Sequence, residues 1–456
     1  MSDSQIIASS AAQRTPVASE ELKRLAGMVL SHARKLGATA AETEVSASVG
    51  QNVTVRMCEV ETIEYNRDKG LSVTVYFGLQ RGSASTSDFA RDAIERTVAA
   101  ACAIAKYTAA DDCAGLADAQ LMARKPYPDL HLNEPWLLTV DEAIRIALET
   151  EAAAFAVDKR INNSEGASVS SHEADFIYAN TSGFVGGYPT SRASISAAVI
   201  VGDDGVMQRD YWYTTACGPA GLEPAETVGQ KAGERCMARL GARRIATCEA
   251  PVLFDPNMAS GLISHFVGAV SGSSLYRKAS FLIDSLDQPV FSPVVSVREE
   301  PHLAGGLASS FFDAEGVATH SREVVRGGTV CGYFLGSYSA RKLGMQTTGN
   351  AGGSHNLIVQ PGDLDFAGML RKMGRGLLVT ELMGQGVNNV TGDYSRGAVG
   401  FWVEGGEISF PVEEITIAGN LKTMFKGIVA VGNDALVMGS RKTGSILIEQ
   451  MAIAGD

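Results

Sequence analysis

The sequence lacks any apolar run near the length of a membrane span, which takes about 18 or more residues. It also lacks a basic segment followed by an apolar core at its start, so no secretion signal is read there. The opening stretch is polar, and residues 1–18 are expected to form a disordered leader. The seven cysteines are scattered, without a C-x-x-C pair. That excludes a zinc ribbon and a disulfide framework, and it fits a reducing cytoplasm. No cluster of Lys and Arg interleaves with aromatic residues, and the net charge is −12. Nucleic acids and anionic membranes attract basic surfaces, so neither is an expected partner. Nucleophile patterns are scarce too. Ser-His neighbours occur at Ser31-His32, Ser171-His172, Ser264-His265 and Ser354-His355, but no G-x-S-x-G elbow accompanies them.

What is present describes a large globular chain. Its 456 residues, 45% hydrophobic and 20% charged, suffice for two or three cores. Ser19 can cap a first helix, with Leu22, Leu25, Val29 and Leu36 on one face and Gly37 ending it. Strand-like segments follow from Glu42 to about Ser87, then a helix to Tyr107. Thr139 and Glu142 form a capping box that opens another helix. Two strands around a Gly202-Asp203-Asp204-Gly205 turn come next, and a helix to Leu240 closes the set. Helix, strands, helix thus occurs twice, a hint of a duplicated unit.

Past Ala250 glycines and short β segments dominate. FWVEGGEISF reads as a hairpin on Gly405-Gly406, and DFAGMLRKM as a helix. The fold class expected is α+β, with a mixed helix and antiparallel-sheet domain over 19–245. A barrel-like antiparallel β domain carrying two or three helices is expected over 246–456.

Asp255-Pro256 opens a helix on which Met258, Leu262, Phe266 and Val270 lie four apart, widened by Ile263 and Val267. Ser264, His265 and Gly268 project away from that stripe. One His without partners is not a site, so His265 reads as an exposed or hydrogen-bonded structural residue. Asp313, Glu315 and His320, with Glu299, Glu300 and His302, could make a carboxylate–histidine metal site if their loops converged. A solvated acidic loop is the simpler reading. GNAGGSHN (349–356) lacks the Gly-Lys-Ser/Thr ending of a phosphate loop and reads as a tight turn.

RGSASTSD, VGAVSGSSLYRKASFLIDSL, SYSARKLG, GNAGG, ELMGQGVNNVTGDYSRGAVGFWVEGGEISFPVEEITIAGNL and VGNDA together closely resemble the TldD/PmbA family, once called modulators of DNA gyrase. Within it the chain resembles the PmbA (TldE) type. The resemblance implies that TldD-type members hold zinc through H-E-x-x-x-H on the corresponding helix and a Cys near the C-terminus. Three protein ligands would leave the metal an open position, with the Glu taking the proton of bound water.

Registering on Arg277-Lys278 places Ser264 and Ala269 at the two His positions and His265 at the Glu. No Cys follows Cys331. The resemblance therefore implies a chain without catalytic residues, metal or cofactor of its own, inactive alone. Zinc is expected in a TldD-type partner, in a cytoplasmic heterodimer acting on small or unfolded peptides held extended. The block Glu381–Leu421 would lie near the subunit interface and cleft. Replacing Gly268, or adding bulk at Ala269, is expected to harm stability or assembly. Two alternatives stand beside this: a metallopeptidase with its own site around Asp313 and His320, and a peptide-binding scaffold homodimer.

Overall fold

Long amphipathic strands organise the first half of the chain in the computed structural model, which describes residues 19–202 and 207–456. The expected leader, and Asp203, Asp204 and Gly205 of the expected hairpin turn, lie outside the described residues. Along β1 (Ala40–Arg56), Ala41, Thr43, Val45, Ala47, Val53 and Val55 are buried at every second position. That period places one face of the strand under helices. β2 (Glu59–Phe77) and β3 (Gln80–Thr86) continue the sheet on one side of β1. On the other side lie β4 (Ile161–Asn180), β6 (Pro189–Val201) and β7 (Gln208–Ala216), while β5 (Val185–Gly186) pairs with β4 off this path.

The order β3-β2-β1-β4-β6-β7 places two like units back to back. α1 (Ser19–Lys35) and α2 (Arg91–Tyr107) cover the first, packing on Val45, Leu71 and Val73. α3 (Val140–Phe155) and α4 (Ala225–Ala238) cover the second, over Val53, Val169 and Ile195. Helix, three strands, helix is therefore repeated. The copies join through the antiparallel β1–β4 ladder, from Glu42 opposite Asn180 to Val55 opposite Ala167. The Thr139–Glu142 capping box is formed. Ser19, expected as a local cap, instead bonds through its hydroxyl to the Asp175 carboxylate on β4.

In the second half, β8 (Cys248–Phe254), β13 (Gly376–Met383), β14 (Asp393–Glu404), β15 (Glu407–Asn420) and β18 (Ile446–Ala454) form a barrel. The β15–β18 pairing closes it, so no barrel strand is left with an open edge along its whole length. The barrel-like antiparallel domain expected here is present, with one neighbour pair, β13 on β8, running parallel. The connection between them carries β9 (Val297–Glu299), β10 (Arg322–Arg326), β11 (Thr329–Val330) and β12 (Leu357–Val359), which form a second sheet completed by β17 (Arg441–Lys442) from later in the chain. The short β16 (Ile428–Val431) pairs with β18.

Helices also exceed the two or three expected here. They are α5 (Pro256–Ala269), α6 (Gly272–Tyr276), α7 (Ser337–Lys342), α8 (Phe366–Met373) and α9 (Leu421–Lys426). α6, α7 and α9 have only five or six residues, too few to show a helical period. Among the described residues, no helix is long and apolar enough to cross a membrane.

Small residues set how closely α4 approaches α3. A Cβ built on Gly229 would stand 2.0 Å from the carbonyl oxygen of Thr150. Backbone cannot yield there as a side-chain tip would, so overpacking of about 1–3 kcal/mol should outweigh the roughly 1 kcal/mol gained by replacing a helical glycine. Gly229→Ala is thus expected to lower the urea midpoint. Gly27→Ala, on α1 with nothing within 4 Å of its new methyl, should keep or raise it.

Candidate functional site

Helix α5 begins where the barrel strand β8 ends. The Asp255 carboxylate accepts the Met258 amide at 2.8 Å, and Pro256 fills the first turn, as its missing N–H allows. Ala259, Leu262, Ile263, Phe266 and Ala269 are buried in the same core as Val252, Phe254, Leu377 and Val379 of the barrel. The expected stripe is present: Leu262, Ile263, Phe266 and Val270 are buried, Met258 and Val267 at its margins are partly buried, and the small Ala259 and Ala269 are added to it.

The three degenerate positions have three different environments. The Ser264 hydroxyl donates to the Ser260 carbonyl one turn earlier, at 2.9 Å. His265 is half-buried, with its ring edge-on to Tyr394 at 5.9 Å between centroids. Ala269 is fully buried, and its carbonyl accepts the Ser280 hydroxyl at 2.6 Å. The helix stays regular through Ala269, so positions 264 and 269 lie about 140° apart around its axis. The donor set does not fit zinc. One side chain is spent on the backbone, one has no donor atom, and the lone imidazole has no ligand beside it.

The acidic loops do not supply a replacement. Asp313 is buried and accepts the backbone amides of Glu315, Val317 and Ala351 at 2.9–3.0 Å. Burial pushes its carboxyl up to about 7 against the pull of those donors. Glu299 accepts from Arg322, Asn350 and the His355 amide. The Glu315 carboxylate takes the Ser337 amide, and His302 meets the Thr319 hydroxyl. His320 is exposed. Among the described residues, no group of three or more His, Cys, Asp or Glu is placed to hold a metal ion. The acidic loop expected to be solvated is in large part buried and spent on turning the chain. The turn at 349–356 belongs to it, since Asn350 and His355 both answer Glu299.

Sequence reasoning gave no role to SYSARKLG, and the structure supplies one. Arg341 donates to the carbonyls of Cys113, Gly115 and Leu116, and Lys342 and Tyr338 bind Asp111. The motif thereby fixes the segment between the two repeated units onto the barrel half. Arg239 bonds similarly to Glu381 at 2.5 Å. Helical or strand periodicity carries no trace of such long-range polar contacts.

Burial, and then the nearby Arg396 guanidinium, hold the His265 imidazole below its ordinary pKa. A depressed pKa means the native fold favours the neutral ring. The resulting stabilisation is present above the unfolded-state pKa of about 6.5 and is lost as pH falls through the folded value. An NMR titration should therefore place His265 below about 6.5. Arg396→Gln should raise it only part of the way, because burial is the larger cause. A full return to the ordinary value would contradict that ranking.

Three family models match the chain: PmbA/TldA metallopeptidase domain 1 over 41–105, central domain over 133–240 and C-terminal domain over 247–455. The metalloprotease PmbA of Escherichia coli O157:H7 is 48% identical over 415 residues, 91% of this chain and 92% of that protein. Its Haemophilus influenzae homologue is 47% identical over 438 residues, covering 96% and 97%. A crystal structure from Bacteroides thetaiotaomicron, named as a candidate modulator of DNA gyrase, superposes with a TM-score of 0.91 at 30% identity, covering 96% of this chain and all of that one. TldE from Thermococcus kodakarensis shares the fold, with a TM-score of 0.84 at 20% identity and coverage of 94% and 100%. The chain belongs to the PmbA/TldD metallopeptidase family.

Proposed function

We propose that this chain is the non-catalytic, PmbA/TldE-type subunit of a cytoplasmic heterodimeric zinc metallopeptidase that processes small or unfolded peptides. The observation that carries this reading is the donor set on α5. Ser264 and Ala269 cannot ligate zinc, Ala269 faces the barrel core, and His265 has no metal-bound water to serve. The metal belongs to a TldD-type partner. The name metalloprotease, which the relatives bear, then describes the assembly and not this chain's chemistry.

Two surface features support a subunit role. Gly268 lies on the exposed side of α5, where a Cβ would meet nothing within 4 Å. Of the two outcomes expected for replacing it, harm to stability or to assembly, this open space favours the second. Among the described residues, the first part of β2 has no outer neighbour in the sheet, because β3 pairs only with Leu71–Phe77. Val60 and Ile63 are exposed there. A peptide added along such an edge is held through its main chain, which tolerates many sequences.

The test is zinc content and peptide cleavage for this chain alone and after mixing with a TldD-type partner. The chain alone should carry no stoichiometric zinc and should not cleave, whereas the mixture should. Zinc and activity in the lone chain would defeat the reading. Gly268→Arg should leave the thermal unfolding of the lone chain unchanged and weaken complex formation. Unaltered assembly would remove α5 from the interface.

A further inference from the structure

Where the strand β7 and helix α4 meet the barrel, they enclose a cavity of roughly 610 Å³. Phe366, Phe401 and Phe410 form its apolar side, while Trp212, Arg235 and Asp255 form its polar end. The polar end is short of positive charge. Arg235 donates to Asp210 at 3.2 Å, and Arg239 bonds to Glu381 at 2.5 Å and reaches Asp210 at 3.6 Å. Three carboxylates (Asp210, Glu381 and Asp255) thus share two guanidiniums, and Asp255 has the weakest claim, at 3.9 Å from Arg235. Burial and the charge of Asp210 push the Asp255 carboxyl up to about 6, as befits an incompletely neutralised buried acid.

A second, independent observation comes from Trp212. This residue lines the cavity and is only 7% exposed, and among the described residues its indole N–H meets no acceptor. A buried donor without a partner costs about 1–3 kcal/mol, which a ligand carbonyl would relieve. The cavity therefore presents an anion for a cationic head, a donor for a neighbouring carbonyl and three phenyl rings for an apolar body. An α-ammonium group beside a carbonyl and an apolar side chain satisfies all three, and aromatic walls tolerate a nearby cation well.

We propose that this cavity binds the N-terminal residue of a short peptide, with its free ammonium on Asp255, its first carbonyl on the Trp212 N–H and an apolar side chain among Phe366, Phe401 and Phe410. The site does not depend on which subunit holds the zinc. An amino-terminal residue is what peptide-bond hydrolysis leaves on the downstream product, so the class of reaction that supplies this ligand is peptide cleavage.

The probes are leucyl-alaninamide and its N-acetyl derivative, titrated calorimetrically into the full chain. The free amine should bind, and acetylation, which removes the charge and two N–H donors and adds a small acetyl group, should weaken binding about 10-fold or more, as expected for losing a charge-assisted hydrogen bond. Asp255→Asn should cause a comparable loss for the free amine while leaving the fold intact, since Asn caps a helix as well as Asp. Equal binding of the two peptides, or no binding of the free amine, overturns the proposal. The peptide comparison uses the unaltered chain and stands even where a variant folds poorly.

Discussion

Burial of the inner face of α5 in the barrel core is the contact on which the second half of the molecule rests. Leu262, Ile263 and Phe266 are at most 2% exposed, and burying each such side chain is worth about 1.5–3 kcal/mol. Phe266 stacks edge-on with Phe291, which lies parallel to Phe425 near the barrel's end strands. The helix is thus held chiefly by packing, with its N-terminus capped by Asp255 and its last carbonyl bonded by the Ser280 hydroxyl. A metal is not needed to keep it in place.

The first half depends on a similar economy of parts. One ladder, β1 against β4, turns two small helix-and-strand units into a single sheet whose two helix pairs cover the same face. The opposite face is also occupied: Phe176 and Tyr178 of β4 point away from the helices, toward Phe312 from the barrel half. Polar contacts then fix the orientation. Arg341 spans the carbonyls of the segment between the units, and Lys342 with Tyr338 hold the Asp111 carboxyl down to about 2.

How far this was legible depended on the range of the signal. The capping box at Thr139, the hairpin at Gly405-Gly406 and the start of α5 are local, and each could be read directly. The Ser19 cap was misread because its hydroxyl answers Asp175, 156 residues away. The parallel β8–β13 pair, the short helices and the buried acidic loop arise from contacts that no local period encodes. At the site, the residues that cannot ligate zinc were evident from their types. That Ala269 lies in the core was not, because how far the buried face extends around the helix takes a neighbouring wall to define it.

The two sides of α5 are under different constraints. Positions facing the barrel are constrained by volume, and a change there is felt through the whole core. Positions on the outer side are constrained only by what they touch. Ser264 has turned back to the helix backbone, His265 rests on Tyr394, and a Cβ at Gly268 would meet nothing within 4 Å. Side chains on the outer side can therefore change at little cost to the fold, whereas Ala269 answers to the core. In the proposed heterodimer, such a helix would offer the second chain a rigid, open surface, and rigidity is what positioning a substrate against another subunit's metal would require.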